Sequence, residues 1–225
     1  MFIGHHAVAF AAKKTVPAVS LGTLFLAAQF LDQLWPTFVL LGFEHVRVAP
    51  GITAFSPLDL YDYPISHSLL TSLGWSVAFA GIYYVIKRSA RNAWIVGGCV
   101  FSHWVLDFIT HRPDMPIAPG IHIYWGLGLW NSVPGTVLVE GSLFLGSFLL
   151  YARVTEARDR TGSLAFWSLV VFLGVAYAVS IVSPPPPSET AIALGAQSAW
   201  LIVVWAYWID RHRVVRSETS AASRG

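Results

Sequence analysis

The chain has 225 residues, 55% of them apolar and only 12% charged, with 14 Lys/Arg against 12 Asp/Glu and a formal net charge of +2. Soluble domains carry about 25% charged residues, so this composition excludes a soluble globule, a disordered chain and a basic nucleic-acid-binding domain. The single cysteine, Cys99, excludes a disulfide framework and a thiolate zinc cluster. What remains is an all-α, polytopic membrane helical bundle.

In chain order, the first predicted element is a short N-terminal helix over residues 2–12 that carries His5 and His6. It descends to Lys13-Lys14 and turns at Thr15-Val16-Pro17. A signal peptide would place its charges earlier and end its apolar run sooner. A bilayer core takes about 20 apolar residues per helix. Six stretches approach that length, at 16–43 (interrupted), 67–86, 93–110, 133–151, 164–182 and 191–209, which predicts about six transmembrane helices. Residues 44–66, with Pro50-Gly51, Pro57 and Pro64, read as structured irregular chain. Four prolines at 184–187 separate the last two spans.

Positive charge sorts by side. Lys13, Lys14, Lys87, Arg88, Arg91, Arg153, Arg158, Arg160, Arg211, Arg213, Arg216 and Arg224 fall at one set of helix ends, and only Arg47 and Arg112 at the other. Cations mark the cytoplasmic side. The first set of ends is therefore expected in the cytoplasm, with His111 and His122 in loops that face outward, which in a bacterium is the periplasmic side of the inner membrane.

Ionisable residues inside apolar spans are costly and point to function. Asp32, Asp107 and Glu140 are such acids, and His67 and His103 lie near them. In the third span His103, Asp107 and His111 are spaced i, i+4, i+8 and share one helix face. An imidazole and a carboxylate one turn apart present two ligands to one cation. The competing explanation is a hydrogen-bonded His–Asp pair that ties helices together. Depth supports convergence: at ~1.5 Å rise per residue, Asp107, Asp32 and Glu140 each sit ~20–25 Å above their basic helix ends, and His67 begins its span at the outer end. His6, only ~10 Å from Lys13, fits that layer less well.

The set His6, Asp32, His67, His103 and Asp107 offers only nitrogen and oxygen donors, which suit Zn²⁺, with Mn²⁺ and Fe²⁺ as competitors. One or two ions are expected, with Asp107 the natural bridge between a pair. Paired ions about 3.5–4 Å apart suit phosphoester hydrolysis. His111, Arg112 and Glu140 join Asp107 as candidate catalytic groups, Arg112 as the outward cation able to hold a phosphate. Whether His5, His111, His122 and Glu140 are ligands stays open at this point.

Three blocks, Gly4-His5-His6, Pro64-Ile65-Ser66-His67-Ser68-Leu69-Leu70 and Ser102-His103-Trp104-Val105-Leu106-Asp107-Phe108-Ile109-Thr110, resemble the bacterial membrane-bound metal-dependent hydrolases of the DUF457-like inner-membrane type. That family is regarded as distantly related to zinc-dependent phospholipase C and S1/P1 nuclease. The resemblance covers residues 1–117. It implies His6, Asp32, His67, His103 and Asp107 as metal residues. The related soluble enzymes have a His-x-x-x-Glu pair for further zinc, whereas here His122 is followed at that spacing by Gly126.

The expected organisation is one integral membrane domain over 1–225: a metal-site half at 1–117, additional transmembrane helices at 118–210 and a cytoplasmic basic tail at 211–225. The expected activity is metal-dependent hydrolysis of a phosphoester on a lipid or lipid-linked substrate near the outer leaflet, with membrane lipids as partners and no nucleic acid. The alternatives are a metal or proton transporter using the same residues, a b-haem electron carrier with His67 and His103 as axial ligands, and a metal-free structural bundle. His45, His122, His212, Asp59 and Asp62 read as surface, belt or loop residues, with Asp62 a weak site candidate beside His67. Ser66 and Ser68 show no serine-hydrolase order.

Overall fold

The computed structural model describes residues 1–216. Residues 217–225 of the expected basic tail, Arg224 among them, lie outside the described residues. Helix α1 runs Ile3–Thr15, α2 Leu21–Ala28, α3 Phe30–Leu40, α4 Pro64–His67, α5 Leu69–Lys87, α6 Ala90–Thr110, α7 Val133–Val154, α8 Arg160–Val182, α9 Glu189–Ala196 and α10 Ala199–His212. Three two-stranded antiparallel ribbons complete the chain: β1 (His45–Val48) with β2 (Leu58–Asp62), β3 (Met115–Pro116) with β4 (Tyr124–Trp125), and β5 (Thr155–Ala157) with β6 (Arg213–Val215).

Among the described residues, five helical segments are long and apolar enough to cross a membrane: α5, α6, α7, α8 and the stretch Glu189–His212 that holds α9 and α10. The protein is a multi-pass all-α membrane bundle. Where the sequence predicts a first interrupted span over 16–43, the structure has two short helices. Ser20 caps α2 by accepting from the Thr23 amide, and the helix ends at Gln29, where φ −103° and ψ 7° leave the helical region. From Gln29 the chain restarts as α3, which places Asp32 in a new first turn, where the positive end of the helix favours an acid.

Helix α1 is apolar on most of its circumference and is correspondingly buried. It lies inside the bundle against α2, α6 and α7. Phe10 is fully buried and meets Phe25 and Phe166 edge-on, with Tyr151 beside it. In lipid such packing acts through dispersion and close fit, since lipid tails are as apolar as the side chains. Helix α5 lies at the periphery and buries only Ser72 and Ser76 of its 19 residues. These small residues let it approach α6 so closely that a Cβ on Gly97 would lie 2.9 Å from the Ala80 methyl and 3.0 Å from the Ser76 carbonyl oxygen. Its outer face, including Val77, Ile82 and Val85, is exposed and apolar, as a lipid-facing surface should be.

The alternating helices bring the basic residues to one end. Lys13 donates to the Val19 carbonyl (2.7 Å) and Asp210 Oδ1 (2.8 Å), Arg91 donates to the Thr15 carbonyl (3.1 Å), and buried Arg213 donates to Thr155 Oγ1 (3.0 Å). The β1–β2 hairpin, α4, the β3–β4 ribbon and the four prolines lie at the opposite end, where the candidate ligands gather.

Candidate metal centre

Four of the predicted ligands meet. His103 Nε2 lies 3.2 Å from Asp107 Oδ2 and 3.6 Å from Asp32 Oδ2. His67 Nε2 lies 3.6 Å from Asp32 Oδ1 and 3.8 Å from Asp107 Oδ2. They come from α3, α4 and α6, so the depth argument from sequence agrees with the three-dimensional arrangement. Two groups of three have ligand atoms all within 4.8 Å of one another: Asp32, His67 and His103; and His5, His103 and Asp107. His103 belongs to both.

His5, rather than His6, joins this cluster. Its Nε2 is 3.0 Å from Asp107 Oδ1, and its ring stacks on His103 with centroids 3.6 Å apart. Adjacent helical residues point roughly 100° apart, so α1 can turn only one of the two toward Asp107. His6 turns to Gln29 instead, whose side-chain nitrogen lies 2.8 Å from His6 Nδ1 and 3.1 Å from Nε2, with the Phe2 carbonyl 3.3 Å from Nδ1. Sequence could not separate the pair, because the rotation of α1 about its axis is set by packing. The Met1 amino group also contacts Asp107.

The imidazoles are held from behind. His103 Nδ1 donates to the Ala28 carbonyl at 2.9 Å. His67 Nδ1 lies 2.6 Å from Ser66 Oγ, which in turn donates to Glu44 Oε2 at 2.6 Å. His111 Nδ1 donates to Asp114 Oδ1 at 3.1 Å, and its Nε2 lies 3.8 Å from Asp107 Oδ1. Each ring thereby aims Nε2 inward, the second-layer arrangement typical of metal-bound histidines. Glu44, Asp114 and Tyr63 are residues of the candidate site that sequence reasoning missed. Glu44 sits in a loop next to His45, yet its side chain is buried and accepts from the Ile65 and Ser66 amides at 2.8 and 2.7 Å. Burial pushes the Glu44 carboxyl up, against the Ser66 hydrogen bonds that favour its charged form. Burial, reinforced by Asp114, pushes the Tyr63 phenol well above its usual range, so its hydroxyl stays a donor to Asp114 (3.2 Å).

Two of the predicted catalytic groups are placed elsewhere. Glu140 Oε2 accepts from the Phe2 amide at 2.8 Å and the Gly4 amide at 3.3 Å, so it anchors the start of α1 rather than joining either ligand group. Arg112 pairs with Asp59 and donates to Asp114 Oδ2 at 3.1 Å. It does not line the cavity beside the cluster, so its charge braces Asp114, and through it His111, instead of facing a phosphate. Asp59, expected as a loop residue, is buried and clamps both Arg112 and Arg47. Asp62 pairs with exposed His45 at 2.8 Å and takes no part in the site. His122 is exposed, and His212 pairs with Asp159 at the basic end.

His6, Asp32, His67, Asp107 and His111 form the floor of a cavity of about 580 Å³ whose remaining walls are mostly apolar. That volume is typical of small-molecule sites. No family model, curated protein or solved structure matches this chain. The arguments for function therefore rest on this geometry and on the sequence.

Behind the floor, the chain after β4 pins the end of α6: the Leu127 amide donates to the Phe108 carbonyl (2.8 Å) and the Gly128 amide to the His111 carbonyl (2.7 Å). Immediately before them, a Cβ on Gly126 would lie 2.1 Å from the Arg112 carbonyl oxygen. A glutamate, the residue a His-x-x-x-Glu pair would require, has no room there. Gly126→Ala should displace the 111–112 segment and destabilise the protein by about 1–3 kcal/mol. The expected result is a lower thermal midpoint in detergent; an unchanged midpoint would contradict this packing.

Proposed function

We propose that the protein is a membrane-embedded, metal-dependent hydrolase that cleaves a phosphoester on a lipid or lipid-linked substrate. The observation that carries this reading is the convergence of Asp32, His67, His103 and Asp107, three of which, Asp32, His67 and Asp107, line a cavity, with His103 Nε2 buried behind them and making no hydrogen bond. A buried, unpaired nitrogen costs about 1–3 kcal/mol, and a cation placed among these donors would remove that cost. The donor set of imidazole nitrogens and carboxylate oxygens fits Zn²⁺, with Mn²⁺ and Fe²⁺ as competitors. His5, Asp32, His67, His103 and Asp107 would hold one or two ions. When bound, such ions lower the pKa of water and offset negative charge developing on a phosphoryl group.

The protein's own groups have separate tasks. Glu44–Ser66, Ala28 and Asp114 fix the histidine rings. His111, facing Asp107 at the cavity floor, is placed to accept or return a proton at Nε2. Burial of His67, His103, Asp107 and His111 lowers the local dielectric and strengthens the charge interactions among them. The resemblance of the Gly4-His5-His6, Pro64–Leu70 and Ser102–Thr110 blocks to bacterial inner-membrane metal-dependent hydrolases points the same way, as does the cationic end, which on the positive-inside rule faces the cytoplasm and puts the site near the outer leaflet.

Specific features weigh against the rival readings. A transporter needs a polar path onward to the basic end, yet beneath the cluster the core is Phe10, Phe25, Val96 and Val100, all fully buried. For a bis-histidine haem, His67 and His103 stand too close, with ring centroids 5.3 Å apart and carboxylates between their nitrogens. Protein purified without chelator should contain one or two equivalents of zinc, manganese or iron by elemental analysis. Adding the metal back at a hundred times its Kd should raise stability by about 2.7 kcal/mol over the chelated form. Protein free of stoichiometric metal, with unchanged melting in chelator, would leave the metal-free network as the better account.

A further inference from the structure

The cavity has two unlike ends. Its floor holds the ligand cluster, and the opposite wall is built by Ile181, Pro184, Pro186, Ala196, Ala199 and Ile202, at the end of α8, in the proline run and on α9 and α10. None of these six is ionisable, the prolines have no amide hydrogen to donate, and the polar side chains beside them, Ser180 and Ser183, are uncharged hydroxyls. Among the described residues, no lysine or arginine lines the cavity at all. A phosphate would find carboxylate or imidazole partners in the cavity only among His6, Asp32, His67, Asp107 and His111. The wall is held in register with the floor: Gln197, in the turn between α9 and α10, donates through Nε2 to Thr37 Oγ1 at 2.9 Å, and Thr37 lies on α3, the helix that carries Asp32. The outer faces of the same segments, at Val182, Leu194 and Leu201, are apolar and exposed, so the wall adjoins the surface that faces lipid.

We infer that this wall is a hydrocarbon-binding subsite, and that the substrate is a phosphoester on a long hydrocarbon chain that enters sideways from the bilayer with its phosphate over the floor. The inference rests on the proposed hydrolase activity and assigns a role to the last two spans, on which the sequence is silent. The cavity's volume is too small for a whole lipid, so the remainder of the chain lies along the exposed face of α9.

The test compares hexadecyl p-nitrophenyl phosphate in detergent micelles with methyl p-nitrophenyl phosphate. Wild type should cleave the hexadecyl ester with the higher kcat/KM. Ala196→Trp and Ala199→Trp should lower that value by about tenfold or more, the scale of a filled apolar subsite, and leave metal content and methyl ester cleavage unchanged. Equal kcat/KM for the two esters in wild type, or equal losses on both in the variants, would overturn the inference. A readout independent of turnover is photo-crosslinking with a hexadecyl phosphate that carries a diazirine on its chain. Label should fall within residues 181–202, and labelling elsewhere overturns the inference even if the variants fail to fold. Cleavage of neither ester, with label still in 181–202, would count against the hydrolase reading and leave the subsite standing.

Discussion

Asp107→Asn is expected to strip the divalent metal from the purified protein and to lower phosphoester cleavage about a thousandfold. Asp107 is buried and faces His5, His67, His103 and His111 within 3.0–3.8 Å, with the Met1 amino group against the same carboxylate. The amide keeps the volume but removes the charge and turns one acceptor into a donor that points at imidazole nitrogens. Losing a metal's charge stabilisation costs several kcal/mol at the transition state, and every 1.36 kcal/mol is tenfold in rate. The same substitution separates metal site from metal-free network. In the latter, removing a buried charged partner would cost about 3–5 kcal/mol of fold stability, with no metal to lose. Elemental analysis and thermal melting on the same sample tell the two apart: loss of metal with a modest fall in melting supports the proposal, and a steep fall in melting from a protein that never held metal refutes it.

Glu44→Gln should weaken metal binding about 10- to 100-fold, the usual effect of removing a second-layer partner, although Glu44 touches no ligand atom directly. Its carboxylate holds Ser66 Oγ at 2.6 Å, and Ser66 holds His67 Nδ1 at 2.6 Å. Ser66→Ala should have a similar effect. Because both act on the one ring, the double substitution should cost little more than either single one. His45→Ala is the control, since His45 lies next to Glu44 in sequence but is exposed and paired with Asp62. Metal titration by competition with a chromophoric chelator reads all four variants. Additive effects of Glu44→Gln and Ser66→Ala, or an equal loss in His45→Ala, would rule out the relay.

The parts of the site that were legible in sequence are those where regular spacing fixes geometry. His103 and Asp107 are one helical turn apart in an apolar span, so their common face follows from helix period alone, and the outer-layer depths of Asp32 and His67 follow from the rise per residue. The parts that were not legible depend on tertiary placement. His5 and His6 differ only in the rotation of α1, which packing against α2, α6 and α7 decides. Glu44 approaches His67 because the chain after α3 folds back beneath α4, and no local pattern marks that return. Arg112 looked free because its partner Asp59 lies 53 residues away in sequence. Glu140 shared the depth of the ligands and still serves another purpose, since the amides at the start of α1, which have no partner within the helix, lie at the same level. For the fold, apolar runs located five crossing segments, while the first predicted span is broken where Gln29 leaves the helical region.

That break has a consequence for how the bundle could be altered. In an unbroken helix the Ala28 carbonyl would be claimed by the amide four residues on, at Asp32 itself. The interruption releases the oxygen to steer His103, and by re-phasing the chain it swings Asp32 inward. Straightening this segment, as a designer seeking greater rigidity would be tempted to do, would at one stroke deprive an imidazole of its guide and point an acid toward the wrong neighbours.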